Sequence, residues 1–336
     1  MTTEQQDLVL RYGRMIRVIR YSEEWEVKWN NFLDLSRTNS FLHRRSFMDY
    51  HKDRFVDYSL IVLDDEKIVG LFPANINTKN EVISHSGLTY GGLITELHDK
   101  PINSIIYLKL ILAFLVNEQI KKLFYKQPPS IYNISSQEEI EYGIFLAQGK
   151  LFRIDTSFAI KKNGRSPFQE RRRRAINKAK KLGVEIKETS IFYQFWELVL
   201  KPNLLSRFGV NPVHSLTEIE LLAMANKGCI RQFDAYLNGE ILAGTTIFET
   251  PTVAHAQYIS AKDEGRKNGA IDLLFDILIN DVFSEKKYFD FGIVNENEGK
   301  TINRGLWDWK EGFGAKVYAH RFYEIETKNY SKIILE

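Results

Sequence analysis

The sequence predicts an α/β protein with a mixed sheet, built as two tandem modules, and three observations carry that expectation. At 336 residues the chain is longer than one hydrophobic core supports, because cores stop growing at roughly 250–300 residues. Short strand patterns alternate with longer helical ones along the whole chain, the order of a layered α/β fold. One plan also occurs twice: a hairpin, a further strand, a long helix and another strand.

The first module opens with a helix signalled by Ser22 as N-cap, Glu23 and Glu24 in its first turn, and Trp25, Trp29, Phe32 and Leu33 on one stripe. A short helix is expected over 46–50, then strands over 58–63 and 67–74 about a turn at Asp64 and Asp65, with more strand within 81–94. A long helix follows from Pro101 to Lys122, then a short strand near 131–134 and a helix to Gln148, capped by Ser136 with Glu139. Residues 151–160 alternate in part and suit a strand crossing the junction, so the boundary lies around 150–160. That divides the chain into modules 1–155 and 156–336.

In the second module Ser166, Pro167 and Gln169 signal the start of a helix that stops at Gly183. Arg171, Arg172, Arg173, Arg174, Lys178, Lys180 and Lys181 crowd it, offset only by Glu170. A helix near 191–200 and a loop over 204–215 lead to a helix capped by Ser215 and Glu218. Residues 233–237 and 240–248 form a hairpin about Asn238-Gly239. Laying Gly70 on Gly244 brings Glu66 onto Glu240 and the Asp64-Asp65 turn onto Asn238-Gly239, which makes this the second copy. A strand over 253–260, a polar loop over 262–269, a helix from Ala270 and a strand over 288–293 complete it. The helix carries Ile271, Leu274, Phe275, Leu278 and Ile279 on one face, and an open helix N-terminus attracts phosphate.

Composition narrows the class. Hydrophobic residues at 44% and aromatics at 13% belong to packed domains. A single cysteine, Cys229, excludes an intrachain disulfide and any multi-cysteine zinc site, which suits a reducing compartment. The N-terminal residues lack the basic-then-apolar layout of an export signal. The longest apolar run, 102–120, is interrupted by Asn103, Ser104, Lys109 and Asn117, so a soluble cytoplasmic protein without a transmembrane segment is expected. Net charge of +3 is too mild to imply nucleic acid by itself. The chain has no Walker-type loop, no Gly-x-Gly-x-x-Gly after a strand, no His-Glu-x-x-His and no Gly-x-Ser-x-Gly elbow. Its seven histidines show no metal-ligand spacing, and no metal is expected.

The strand, polar loop, helix and strand of 253–293 resemble the acyl-CoA N-acyltransferase (GNAT) superfamily, in which a loop opening a helix holds the donor's pyrophosphate between splayed strands. That resemblance implies acyl-CoA as co-substrate, held by Arg266, Lys267, Asn268 and Gly269, with Asn303 from the last motif. A wider resemblance covers most of the chain. SGLTYGG at 86–92, RRRRAINKAKKLGV at 171–184, YFDFG at 288–292 and WKEGFG at 309–314, in that order on two modules, look like the FemAB-like double-GNAT proteins. That family includes aminoacyl-tRNA-dependent transferases that build peptidoglycan cross-bridges, and relatives in surface-polysaccharide pathways that acylate amino sugars. No segment sustains the heptads of the coiled-coil arm typical of some tRNA-using members, which favours a small thioester donor such as acetyl-CoA.

Lys310 matches the family's aromatic-Lys-x-Gly-Phe-Gly lysine. It either stabilises charge on the acyl oxygen or is a surface lysine. Asp290 alternates with Phe289 and Phe291 and either deprotonates an ammonium or caps a loop. Gln257 and Tyr258 point to opposite faces, so at most one reaches a cleft unless a bulge intervenes. Tyr258 is either general acid to the thiolate or a core tyrosine with a satisfied hydroxyl. The arginine helix, Arg174 included, either attracts a diphosphate, a sugar nucleotide or tRNA or is a solvated face. Arg207 and His214 are acceptor candidates because they share a loop. The expected reaction is N-acyl transfer from acetyl-CoA to a primary amine of a cell-envelope precursor such as a nucleotide-linked amino sugar, in a cleft between or beside the modules. The alternatives are aminoacyl-tRNA-dependent bridge formation and a non-catalytic RNA- or glycan-binding module.

Overall fold

The computed structural model describes residues 8–10 and 14–335. Its contacts separate into two compact units, one of Asp155–Tyr318 and one of Met1–Ile154 together with Ala319–Glu336. The sequence reading leaves the chain's end with the second module, whereas by contacts it groups with the first.

In the first unit β1 (Arg14–Arg20), β2 (Leu60–Asp64) and β3 (Lys67–Phe72) are antiparallel neighbours, while β4 (Val82–Ile83) belongs to a separate sheet and β5 (Ile94–Thr95) flanks β3. Helix α1 (Glu26–Asp34) buries Trp29, Phe32 and Leu33. Helix α2 (Pro101–Asn117) begins with a proline, where a missing N–H costs nothing, and packs Leu108, Ile111 and Leu115 into a core with Leu60, Val62 and Leu123. It stops short of Lys122, with Gln119 at φ +61°. Residues Lys122–Lys126 are instead strand β6, which bury Leu123 and Tyr125 at period two and run parallel to β4. A strand from the chain's end, Lys316–Glu326, pairs antiparallel with β6. The strand expected at 131–134 is absent; Ser130–Tyr132 is a single 3-10 turn. The cap expected from Glu139 is absent too, because its carboxylate receives Arg37 at 2.5 Å and Ser104 at 2.9 Å.

The second unit has one continuous sheet. Its strands in chain order are β7 (Lys150–Lys161), β8 (Glu185–Thr189), β9 (Ile230–Leu237), β10 (Glu240–Glu249), β11 (Val253–Ala261) and β12 (Tyr288–Ile293), and their spatial order is β8-β9-β10-β11-β12-β7. Helix α3 (Glu170–Leu182) carries the basic run and has Gln169, not Ser166, as its N-cap residue. The stretch 193–200 ends in a π-turn, Trp196–Leu200, and continues as α4 (Lys201–Phe208) where a loop is expected. Helix α5 (Leu216–Ala225) has the predicted capping box of Ser215 with Glu218. The polar loop expected at 262–269 is largely a short helix, α6 (Asp263–Asn268). Gly269 at φ +77° turns the chain into α7 (Ala270–Ile277). Helix α8 is Arg304–Glu311.

The duplicated hairpins match strand for strand, including a bulge. Leu63 pairs with Ile68 and Val62 with Gly70, which leaves Val69 extra; Tyr236 pairs with Ile241 and Ala235 with Ala243, which leaves Leu242 extra. The ladders therefore lay Leu71, not Gly70, on Gly244, and Asp65-Glu66 on the Asn238-Gly239 turn. The sequence alignment is one residue out, a shift that exchanges the two faces of a strand.

Basic side chains of α3 tie it to its neighbours. Arg172 is ion-paired with Asp272 in the first turn of α7, Lys180 reaches Asp276 at 3.0 Å and Lys178 reaches the Lys267 carbonyl at 2.8 Å. A Cβ on Gly269 would overlap the Ala175 carbonyl of α3. Gly269→Ala is therefore expected to destabilise by about 1–3 kcal/mol, through positive φ and that overlap. Denaturant unfolding checks this, and an unchanged midpoint would show that α3 is not seated against Gly269.

Candidate active site

Strands β11 and β12 run parallel for three pairs, Val253 with Tyr288, Ala254 with Phe289 and His255 with Asp290, and no ladder pair follows. Beyond that rung β12 stays on β7, as far as Ser157 with Ile293, while β11 stays on β10 as far as Ala261 with Ala243. The sheet forks there.

A bulge at Gln257 sets what faces the fork. Thr246 pairs with Tyr258 and Ile247 with Ala256, which leaves Gln257 extra. Ala254 and Ala256 before the bulge, and Ala261 with Ile259 after it, belong to the hydrophobic core under α7. His255, Tyr258 and Ser260 are thereby directed to the other face, so the parity break lets Tyr258 join the face of His255. On β12 the aromatic rings of Phe289 and Phe291 stay in the core and Asp290 takes the opposite face.

Asp290 is 1% exposed. Its Oδ1 accepts the Ser157 hydroxyl at 2.7 Å and the Gly292 amide at 2.9 Å, and its Oδ2 lies 2.9 Å from His255 Nδ1. His255 Nε2 is 3.1 Å from the side-chain oxygen Oε1 of Gln257. Lys310 is 3% exposed, and its ammonium donates to the carbonyls of Gly292 at 2.9 Å and Ile293 at 2.8 Å. It is not a surface lysine. Burial pulls its pKa down to about 7, against the opposing pull of Asp290. Tyr258 packs edge-on to Trp196 and its hydroxyl meets His214 Nδ1, so two residues chosen separately from the sequence form one hydrogen bond. Trp196 continues the polar face, donating to Thr246 at 3.2 Å, which donates to Gln232 at 2.7 Å. Gln232 in turn donates to Asp234 at 2.6 Å, and burial pushes the Asp234 carboxyl up to about 6.

Where β11 ends, Arg266 donates to the Ala261 carbonyl and to Asp263 at 3.2 Å, and Arg207 reaches the same Asp263 carboxylate at 3.4 Å. Burial lowers the Arg266 pKa, and Arg207 lowers it further against the pull of Asp263. Two guanidiniums sharing one carboxylate leave a surplus of positive charge. Lys267 is exposed, Asn268 contacts Glu264 at 3.4 Å, and Gly269 is buried against α3. Asn303 is the N-cap of α8, accepting from the Leu306 amide at 3.0 Å. Arg174 is exposed, away from the ion pairs that seat α3.

Sequence reading missed His255, Ser157 and Trp196. Only the parallel register puts His255 opposite Asp290, although its position two residues before Gln257 was a signal.

No protein-family model matches the chain, and no curated protein matches it in sequence. Solved structures do match. FemX is similar with a TM-score of 0.65 at 11% identity, over 95% of this chain and 99% of that one. The fold is FemX-like. A conserved protein of unknown function from Bacteroides thetaiotaomicron is similar at TM-score 0.60 and 12% identity, over 93% of this chain and 100% of that one. L-PGS from Bacillus licheniformis reaches 0.52 at 12%, over 77% and 81%. At these identities the likeness establishes the fold alone, an α/β fold with a mixed sheet. Among the described residues no helix is long and apolar enough to cross a membrane.

The depressed Lys310 pKa makes a signed prediction. An unfolded lysine titrates at about 10.4, so between about 7 and that value the unfolded chain holds one more proton and stability rises with pH. Lys310→Met is expected to flatten that rise, measured by denaturant unfolding at several pH values across the window. Equal slopes in both proteins would place the Lys310 amine in water.

Proposed function

We propose that the second unit is an N-acyltransferase, moving an acyl group from a thioester donor, acetyl-CoA in the first instance, to a primary amine of a cell-envelope precursor such as a nucleotide-linked amino sugar. The observation that carries this reading is the fork of β11 from β12 past His255 and Asp290, with Lys310 against the end of β12. A fork of this kind exposes strand edge along which an extended thioester arm lies, with its carbonyl near the branching point. The residues at the far end fit a diphosphate: Arg266 and Arg207 share one acid, Asp263, and Lys267 is exposed beside them. The amino-sugar acceptor rests on the resemblance to FemAB-like relatives of surface-polysaccharide pathways.

No covalent enzyme intermediate is needed, because a free amine attacks a thioester directly. The chain's part is orientation and electrostatics. Lys310 spends two bonds on β12 carbonyls, which fixes the ammonium, and its positive charge opposes the negative charge growing on the acyl oxygen. The Tyr258 hydroxyl, held by His214, projects from β11 as a proton source for the departing thiolate.

The likeness to FemX favours a second reading of the same fork, with aminoacyl-tRNA as donor and a peptide-bridge amine as acceptor. Thiol release from acetyl-CoA in the presence of a panel of UDP- and dTDP-linked amino sugars separates the two. Release that depends on the sugar and is untouched by ribonuclease supports the thioester donor. Loss with ribonuclease, or no acylation of any panel member, overturns it. In the same assay Lys310→Ala is expected to lower kcat about 10²- to 10³-fold, whereas Arg266→Ala raises the donor KM with little change in kcat.

A further inference from the structure

We infer that His255, and not Asp290, receives the proton of the attacking amine, with Asp290 as its positioning residue and Gln257 as a reversible partner on the reactive nitrogen. This rests on the acyl-transfer reading, and it assigns a catalytic role to a residue that the sequence motifs pass over.

Bond directions carry the argument. The Gly292 amide can only donate, so Asp290 Oδ1 is an acceptor, and the Ser157 hydroxyl donates to the same oxygen. A carboxylate oxygen that already accepts two hydrogen bonds favours the anionic form. It is also nearly without exposure, so an incoming amine does not reach it. Oδ2 remains, and it faces His255 Nδ1 at 2.9 Å. An anionic oxygen there requires Nδ1 to carry a hydrogen, which in a neutral ring leaves the lone pair on Nε2. His255 is 12% exposed along its side chain and sits on the last paired rung of the fork. The ring therefore presents its basic nitrogen where the strands part.

Gln257 completes the device. Its side-chain oxygen, Oε1, lies 3.1 Å from Nε2, and a half-turn of the amide exchanges that acceptor for the NH2 donor. With the NH2 turned inward it donates to the neutral ring; with the oxygen inward it accepts from the imidazolium. Both protonation states of His255 are thus hydrogen-bonded by a rotation of one bulged residue. A substrate amine takes the place of the NH2 at that nitrogen. The acceptor arrives as the free amine, its ammonium proton having gone to water. As its lone pair forms the C–N bond, the carbonyl π pair moves to oxygen and the N–H proton passes to Nε2. The C–S bond then breaks with its electron pair on sulfur, the carbonyl reforms, and the imidazolium proton returns to the thiolate, directly or by way of Tyr258. Amide and thiol are the products, and the ring ends neutral.

Nitrogen-15 NMR of the full chain at neutral pH tests the proton's place without any substrate. His255 is expected as the Nδ1–H tautomer, and Asp290→Asn is expected to redistribute it toward Nε2–H. A wild-type ring that is Nε2–H, or one that stays in the Nδ1–H form after Asp290→Asn, overturns the inference. With acetyl-CoA and the amino-sugar panel, His255→Ala is expected to lose roughly 10²- to 10⁴-fold in kcat and to recover part of it with added imidazole, which a structural role does not predict. Unchanged kcat in His255→Ala also overturns it. If the wild type acylates no panel member, the acyl-transfer reading fails on that result, while the tautomer measurement still decides where the proton resides.

Discussion

The second unit depends on a constraint of backbone hydrogen bonding: two parallel strands that share three rungs and then separate. Every N–H and C=O on the parted edges has lost its ladder partner and needs another, because a buried unpaired group costs as much as a lost bond. Side chains supply partners at the far end of β11. Asn203 of α4 donates to the Ala261 carbonyl and to the Ser260 hydroxyl, each at 2.8 Å, and Arg266 donates to the same carbonyl. On β12, Lys310 takes up the carbonyls of Gly292 and Ile293. A candidate catalytic cation is therefore also the plug that lets the strand end.

Gly292 joins these roles. Its amide serves Asp290, its carbonyl serves Lys310, and its φ of +75° turns the strand end between them. A side chain at this position would press on the His255 ring, besides adopting a backbone conformation that L residues avoid. One residue without a Cβ thus lets an acid, a base and a buried cation share a small volume. The electrostatic cost is divided: Asp290 is stabilised by donors, and the amine of Lys310 has its proton affinity reduced by burial.

The basic helix shows how far charge patterning alone carries. Of its crowded cations, Arg172, Lys178 and Lys180 face α6 and α7, and Arg171 reaches the Asp308 carbonyl of α8. The helix brackets the elements around the fork through two ion pairs, of which Arg172–Asp272 is the more buried, and two bonds to backbone carbonyls. Its N-terminal approach is locked by backbone contacts, since the Gln169 amide donates to the Gly312 carbonyl at 2.8 Å and a Cβ on Gly314 would strike the Ser166 carbonyl. The second glycine of Gly312-Phe313-Gly314 is therefore explained by close packing against Ser166.

What the sequence determined by itself was periodic and local. The apolar stripes of α1, α2 and α7, the Asn238-Gly239 hairpin, the Ser215–Glu218 cap and the duplicated order of elements follow from side-chain spacing and turn chemistry, which act over a few residues. So does the placing of Asp290 opposite Phe289 and Phe291. What only the tertiary structure decided depends on register between distant segments. The bulge that turns Tyr258 onto the face of His255 exists only as a mismatch of β10 with β11. The partnership of His255 with Asp290 exists only because β11 and β12 run parallel at that rung. The burial of Lys310 comes from where α8 lands on β12. The hairpin alignment slipped by one residue for the same reason: an extra residue in a strand is invisible until its partner strand is known.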